Sequence, residues 1–84
     1  MLLARIRITL RAGVLDPQGD TIASSLNRLG FDEVRGVRAG KYLEITVDGD
    51  KVDEARPRVE EMCRRLLANP VIEDYTVEIE ADRS

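Results

Sequence analysis

The sequence predicts an α+β fold in which two helices cover one face of a four-stranded antiparallel sheet, in the order β-α-β-β-α-β. Residues 3–11 and 71–80 alternate apolar and polar side chains, which is typical of half-buried strands. Residues 17–29 and 51–68 repeat apolar side chains every three or four positions, which indicates helices that bury one face. The chain of 84 residues is expected to form one small domain, 1–84, with a thin core.

The first helix carries clear start and stop signals. Asp16 can accept hydrogen bonds as its N-cap, and Pro17 follows at the first helical position. Gly30 is expected to end the helix in a left-handed conformation, with Phe31 folding back on the last turn. Gly19 is a poor helix former, so a reason other than helix propensity is expected to keep it in the first turn. The apolar stripe consists of Ile22, Ala23, Leu26 and Leu29.

The middle of the chain predicts a hairpin of two strands, at residues 34–38 and 42–47, joined by a short link that contains Gly40. The last strand is expected to lie antiparallel beside the first, with the strand at 42–47 on its other side. Arg5 and Arg7 would then face side chains of both neighbours across the sheet, namely Glu44, Thr76 and Glu78. This outer face is either solvated or a moderately polar subunit interface.

The second helix is expected to start at an Asp50 N-cap and to stop at Asn69. Pro57 removes one backbone hydrogen bond in its second turn, which predicts a kink or a late start. The helical side chains expected to be buried are Val52, Ala55, Val59, Met62, Cys63, Leu66 and Leu67. Those expected in the core from the final strand are Val71, Tyr75, Val77 and Ile79. Two crossovers around a central hairpin make this order the ferredoxin-like, or split βαβ, fold.

Composition and charge argue against several functions. Thirteen Lys and Arg against sixteen Asp and Glu give a formal charge of −3, which disfavours a nucleic-acid-binding surface. The chain has no His, and its single cysteine, Cys63, lies on an apolar helical stripe where a buried, unreactive thiol is expected. A lone cysteine favours a reducing, cytoplasmic compartment. Since no signal peptide or membrane span is expected either, the pattern indicates neither a membrane protein nor a self-contained enzyme.

Three short segments contain residues that this fold does not itself require. Residues 13–19 place the polar Gln18 and the helix-weakening Gly19 at the start of a helix. They form either a helix cap that lies close to a neighbouring loop or a functional contact. Residues 38–41, together with the nearby Arg35, place three cations (Arg35, Arg38 and Lys41) around Gly40, either as a solvated turn or as a docking point for an acidic surface. Residues 66–71 are chiefly a helix stop.

These segments, Gly-Val-Leu-Asp-Pro-Gln-Gly, Arg-Ala-Gly-Lys and Leu-Leu-Ala-Asn-Pro-Val, together resemble the small PurS subunit of phosphoribosylformylglycinamidine synthase over nearly the whole chain. The resemblance implies a non-catalytic subunit that bridges a glutaminase and a large synthetase subunit and assists ammonia transfer in de novo purine biosynthesis. It implies that the whole complex is an ATP-dependent glutamine amidotransferase ligase. That complex converts formylglycinamide ribonucleotide to formylglycinamidine ribonucleotide and releases ADP, phosphate and glutamate.

The resemblance also implies that the chain forms homodimers or homotetramers and binds no cofactor itself, while the synthetase subunit uses ATP and magnesium. Neither nucleic acid nor a membrane is an expected partner, and no residue is expected to be catalytic or to bind metal. The residues expected to contact partner chains are Asp16, Gln18, Arg38, Gly40, Lys41 and Asn69. The alternative is a stand-alone regulatory domain of the same fold that binds a small ligand.

Overall fold

The computed structural model describes residues 1–82, which form three strands, two α-helices and one π-helical turn. The last two residues of the predicted 1–84 domain lie outside this range. The strands are β1 (Leu2–Leu10), β2 (Gly40–Val47) and β3 (Glu73–Ala81), and the helices are α1 (Pro17–Arg28) and α2 (Val52–Met62). The π-helical turn (Cys63–Leu67) continues α2. The α+β class is therefore confirmed.

β1 is the central strand of the sheet, with β2 and β3 antiparallel on its two sides. This order confirms the predicted placement of the last strand beside the first. Directly opposed residues share a face of the sheet, and every second residue of β1 from Leu2 to Ile8 lies on its inner face, opposite apolar residues of both neighbours except where Ile8 lies opposite Lys41. These β1 residues are at most 2% exposed, and they are Leu2, Ala4, Ile6 and Ile8. Partly buried side chains around them are Leu43, Ile45, Tyr75, Val77 and Ile79.

The outer face of the sheet carries the mixed-charge ladder that the sequence predicts. Arg5 lies opposite Glu44 and forms ion pairs with it, at 3.7 Å, and with Glu80. Arg7 Nη1 donates to Glu78 Oε1 at 2.8 Å. Because these side chains are exposed, solvent screens the pairs and they add little to stability. The inner face of the sheet therefore holds the fold together.

The predicted strand at residues 34–38 is absent, so the sheet within the described residues has three strands instead of four. This part of the chain turns after α1 and returns along it. Asn27 Nδ2 donates to the carbonyl oxygen of Val34 at 3.3 Å. At the other end of α1, the N–H of Ala39 donates to the carboxylate of Asp16. The backbone of this segment therefore bonds at the two ends of α1 and forms no β-ladder with a strand of the sheet.

α1 stands off the sheet, which corrects the prediction that both helices cover one face. The buried core cluster takes helical side chains from α2 and the π-helical turn but none from α1. A nine-residue strand is about 30 Å long and a 12-residue helix about 18 Å. The 48 Å long dimension is thus consistent with α1 extending beyond the end of the sheet. The radius of gyration of 16.4 Å also exceeds the value of about 12 Å for a compact chain of this length.

α1 ends in the predicted manner. Gly30 has a φ of +104°, its N–H donates to the carbonyl of Asn27, and the N–H of Phe31 donates to that of Leu26. These two bonds form the Schellman motif, which satisfies carbonyls of the last helical turn. Leu29 and Phe31 are nevertheless 74% and 48% exposed. The far end of α1 therefore presents apolar side chains to solvent.

The middle of α2 packs as predicted. Val59 and Cys63 are fully buried, and burial raises the pKa of the Cys63 thiol, which keeps it protonated and unreactive. α2 starts at Val52 and runs through Pro57, so the proline does not delay the start of the helix. The other predicted core side chains of α2 and its π-helical turn that are partly buried are Val52, Ala55, Met62 and Leu67.

Both ends of the second helical segment depart from prediction. Lys51 occupies the N-cap position without a side-chain cap, so the predicted cap at Asp50 is wrong. The π-helical turn holds more residues per turn than an α-helix and so rotates the following side chains about the axis. Leu66 is consequently 83% exposed, whereas Ala68 is buried. Val71, predicted in the core, lies in the turn before β3 and is 76% exposed.

Two matched leucine substitutions test this placement of the core. Leu2→Ala removes a side chain that is 2% exposed and should lower the free energy of unfolding by about 2–5 kcal/mol. Leu66→Ala should change it by less than about 0.5 kcal/mol, because Leu66 is 83% exposed. Urea denaturation at one protein concentration measures both. A larger loss for Leu66→Ala than for Leu2→Ala would mean that the helix does not rotate at the π-helical turn.

Candidate partner-binding site

The six predicted partner-binding residues lie at one end of the sheet, where β1 ends and β2 and β3 begin. Thr9 of β1 lies opposite Gly40 of β2, and Leu10 lies opposite Glu73 of β3. The chain leaves this end toward α1 and returns to it twice, before β2 and before β3. We call this part of the molecule the crossover end. It holds Asp16, Gln18, Arg38, Gly40, Lys41 and Asn69.

Asp16 joins two segments that are distant in the sequence. Its Oδ1 accepts a hydrogen bond from the N–H of Gly19 at 2.9 Å, which confirms the predicted N-cap. Its Oδ2 accepts a second hydrogen bond from the N–H of Ala39 at 2.8 Å. The residue is only 5% exposed. These N–H donors stabilise the carboxylate, so the pKa of Asp16 lies below its ordinary value.

Gly19 permits the close approach that this joint requires. A Cβ atom at position 19 would overlap the carbonyl oxygen of Val37 and would also crowd the Asp16 carboxylate. Gly19 is the one buried residue of α1. The expectation that something other than helix propensity keeps a glycine here is confirmed. A glycine is required at position 40 for a similar reason, because a Cβ atom there would overlap the carbonyl oxygen of Ile8.

Arg38 holds the loop between β1 and α1. Its guanidinium donates to the carbonyl oxygens of Leu10 and Arg11 at 3.0 Å each, and to that of Val14 at 3.1 Å. These donors connect the end of β1 to the segment that enters β2. Arg38 is exposed, yet its guanidinium is committed to the chain's own backbone. We name the contacts of Asp16 and Arg38 described here the α1 joint.

Lys41 and Asn69 each bond to backbone groups at or just after the end of the π-helical turn. Lys41 Nζ donates to the carbonyl oxygen of Leu67 at 3.2 Å, so a cation lies beside the last carbonyls of the helical segment. Asn69 Oδ1 accepts a hydrogen bond from the N–H of Val71 at 3.0 Å, which forms the turn into β3. The helical segment itself ends at Leu67 with Ala68 as its C-cap, so it stops just before the predicted Asn69. Lys41 remains exposed to solvent.

Gln18 and Arg11 complete this end of the molecule. Gln18 lies in the exposed first turn of α1, next to the buried Asp16. Arg11 Nη2 donates to the carbonyl oxygen of Pro70 at 2.5 Å, and Arg11 Nε lies 3.4 Å from Asp74 Oδ1. Arg11 was not predicted as a site residue, because in the sequence it continues the polar side of β1 and carries no motif signal. The crossover end is therefore cross-linked by side chains that donate to backbone carbonyls.

The polar side chains of the crossover end bond mainly to backbone groups of the chain itself. The described residues contain no cluster of Cys, Asp or Glu that could hold a metal ion. No helix among them combines the length and the apolar character needed to cross a bilayer. A cavity of about 230 Å³ lies elsewhere, between the end of β2 and α2, and its apolar walls include Val47, Ala55, Val59 and Met62.

Comparisons with known proteins identify the family. The family model described as PurS, phosphoribosylformylglycinamidine (FGAM) synthase, matches residues 3–81. The chain belongs to the PurS family. The phosphoribosylformylglycinamidine synthase subunit PurS of Methanocaldococcus jannaschii is 45% identical over 80 residues, which cover 95% of this chain and 96% of that one. The PurS subunit of Synechocystis is 48% identical over 77 residues, which cover 92% and 77% of the two chains.

Solved PurS structures share the fold. The crystal structure of M. jannaschii PurS, one of the subunits of formylglycinamide ribonucleotide amidotransferase, matches with a TM-score of 0.89 at 42% identity. That match covers 99% of this chain and 100% of the other. A chain in the structure of PurLQS from Thermotoga maritima matches with a TM-score of 0.83 at 31% identity, covering 95% and 99%. The PurS-family assignment thus extends over the whole fold.

Two glycine substitutions test whether Gly19 approaches Val37 closely at the α1 joint. Gly19→Ala should lower the free energy of unfolding by about 1–3 kcal/mol, because the added methyl group overlaps backbone atoms of Val37. Gly36→Ala is the control, since its Cβ atom would have no neighbour within 4 Å, and it should be neutral or slightly stabilising. Urea denaturation gives both values. Equal effects would show that Gly19 makes no close approach to Val37.

The lowered pKa of Asp16 predicts a pH dependence of stability. The unfolded chain takes up a proton at Asp16 near pH 3.9, whereas the folded chain does so only at lower pH. The stabilisation by this carboxylate is therefore complete above pH 3.9 and is lost as the pH falls through the folded pKa. Asp16→Asn should lose less stability between pH 5 and 3 than the natural chain. Parallel pH profiles of the two proteins, from urea denaturation, would contradict this assignment.

Proposed function

We propose that the chain is the small, non-catalytic subunit of a phosphoribosylformylglycinamidine synthase complex, where it bridges a glutaminase subunit and a large synthetase subunit. The observation that carries this proposal is the near-complete match, in sequence and fold, to PurS chains that include one from a PurLQS structure. The side chains of the crossover end support it, because they bond to backbone groups and form no arrangement of nucleophile and base.

The reaction then belongs to the complex and not to this chain. The complex converts formylglycinamide ribonucleotide, glutamine and ATP to formylglycinamidine ribonucleotide, glutamate, ADP and phosphate. The glutaminase subunit releases ammonia, and the synthetase subunit uses ATP and magnesium to activate the formamide oxygen. The small subunit binds no cofactor and assists ammonia transfer by holding the other two together, in the cytoplasm.

The crossover end is the surface that we assign to the partner subunits. The α1 joint fixes its shape, since Asp16 and Arg38 are engaged with the chain's own backbone. Gln18 is exposed, and the exposed Lys41 donates one hydrogen bond to Leu67 and has two further N–H donors, so these two side chains can extend to another protein. Lys41 suits an acidic surface patch on a partner. Asp16, Arg38, Gly40 and Asn69 then act by shaping this end of the molecule, and Gln18 and Lys41 by direct contact.

The chain is further proposed to form a homodimer or homotetramer. Its core is thin, because one helix covers the sheet, and several large apolar side chains remain exposed. A chain of this size gains stability from burying such area against another copy. Analytical ultracentrifugation at micromolar concentration should give a species at a multiple of 9.4 kDa.

Reconstitution tests the bridging role. The purified chain alone should show no glutaminase, ATPase or amidotransferase activity. Mixed with the glutaminase and synthetase subunits of the same organism, it should form one complex on a sizing column. Glutamine-dependent formation of formylglycinamidine ribonucleotide should require all three. Full activity without this chain would contradict the proposal, and a small ligand that binds the isolated chain would favour the alternative regulatory domain.

The chain has two exposed lysines that serve as a matched pair for testing the docking surface. Lys41→Glu reverses a charge at the crossover end and should weaken assembly with the partner subunits by about tenfold or more. Lys51→Glu reverses a charge next to α2, near the opposite end of β2, and should leave assembly unchanged. Binding titrations give both affinities, and thermal melting confirms that each variant is folded. Equal affinities would remove Lys41 from the interface.

A further inference from the structure

We propose that the cavity between β2 and α2 binds a free α-amino acid that has an apolar side chain. We call it the β2–α2 cavity. Its volume is about 230 Å³, and it lies at the end of β2 that is opposite the crossover end. The inference goes beyond the proposed function and does not rest on it. It adds a small-molecule site to a chain whose other assigned surface contacts proteins.

The floor of the β2–α2 cavity is apolar. Val47, at the end of β2, and three residues of α2, namely Ala55, Val59 and Met62, line it. The α2 residues are spaced three or four positions apart, so they lie on one face of the helix. Val59 is fully buried, whereas the other three are only partly buried. A ligand with an apolar group would bury area here that the chain itself leaves uncovered.

The rim of the cavity carries charges of both signs. Lys51 Nζ lies 3.9 Å from Glu54 Oε1, so these two side chains pair with each other. Arg58 of α2 lines the same cavity, as do Asp48 and Asp50 of the loop that follows β2. Within the described part of the chain, the side chains of these three residues form no hydrogen bond or ion pair. The rim therefore offers a guanidinium to a carboxylate and carboxylates to an ammonium group.

Size and charge limit the class of ligand. A volume of about 230 Å³ lies below the roughly 300–1,000 Å³ of sites for drug-sized ligands, which disfavours a nucleotide. The rim has three carboxylates and two cations, which disfavours a phosphate group. Residues 1–82 contain no group of Cys, Asp or Glu that could hold a metal ion and offset this charge. A zwitterion with an apolar side chain satisfies the floor and the rim together.

The two walls of the cavity then receive different ends of the ligand. Arg58 binds the ligand's carboxylate, and Asp48 or Asp50 binds its ammonium group. The apolar side chain lies on the floor, against Val47 and Met62. Because one wall is the loop after β2 and the other is α2, a bound amino acid joins the two elements. Such a ligand also stabilises the folded chain.

L-Leucine and two analogues test the pairing of charges. L-Leucine should bind the natural chain saturably in a calorimetric titration. Isocaproate lacks the ammonium group and isoamylamine lacks the carboxylate, so each should bind at least about tenfold more weakly. Amide NMR signals of the residues that line the cavity should shift with leucine, and those of the crossover end should not. The inference is overturned by no saturable binding at millimolar leucine, by equal binding of the three compounds, or by shifts confined to the crossover end.

Two exposed arginines form a matched pair that locates the site. Arg58→Gln removes the guanidinium at the cavity rim and should weaken leucine binding by about tenfold or more. Arg28→Gln makes the same change on α1, outside the cavity, and should leave the affinity unchanged. Thermal melting checks that both variants are folded. Equal affinities of the two variants for leucine would show that Arg58 does not bind the ligand and would overturn the inference.

Filling the cavity separates a ligand site from a contact with a second copy. Ala55→Leu extends a side chain into the cavity and should abolish leucine binding while self-association stays unchanged. If the natural chain binds no leucine and Ala55→Leu weakens self-association, another copy occupies the cavity and the inference is overturned.

Assembly with the partner subunits is measured separately from leucine binding. A chain that binds leucine and still assembles keeps the proposed function, because the cavity and the crossover end lie at opposite ends of β2. A chain that binds leucine but does not assemble is the alternative regulatory domain. The inference about the cavity holds in both cases.

Discussion

The architecture of this chain depends on one buried carboxylate. Asp16 accepts hydrogen bonds from the N–H of Gly19, in the first turn of α1, and from the N–H of Ala39, just before β2. Two segments that are 20 residues apart along the chain are thereby fixed at the same point. The joint requires a glycine at position 19, and it sets the direction in which α1 leaves the sheet. Arg38 reinforces it by binding the carbonyls of the preceding loop.

The joint has consequences for the core and for the role of the chain. Because α1 is held away from the sheet, the fully buried side chains come from β1, α2 and the π-helical turn, and a large apolar area stays exposed. Such a chain offers apolar surface for assembly, which agrees with its membership of the PurS family. Residues such as Asp16 and Arg38, which carry the resemblance to that family, bond to the chain's own backbone and so fix the shape of this end of the molecule.

The sequence was informative wherever a signal is local. Alternation in β1 and β3, the N-cap at Asp16 and the glycine ending at Gly30 each depend on neighbours within a few residues, and each was predicted correctly. Residues 34–38 were wrongly predicted as a strand, because strand propensity does not reveal whether an edge is available to pair with. Likewise the second hydrogen bond of Asp16 could not be predicted from neighbouring residues, because its donor, Ala39, lies 23 positions away in the sequence. The exposure of Leu66 follows from a π-helical turn that a 3.6-residue period does not anticipate.

Amide hydrogen exchange at Gly19 and Ala39 tests the α1 joint most directly. If Asp16 holds both N–H groups, these two amides should exchange slowly, at rates approaching those of the central strand β1. Asp16→Ala should release both of them while the β1 amides stay protected. Exchange of the Ala39 amide at the rate of an exposed loop in the natural chain would contradict the account, because α1 would then have no fixed direction relative to the sheet.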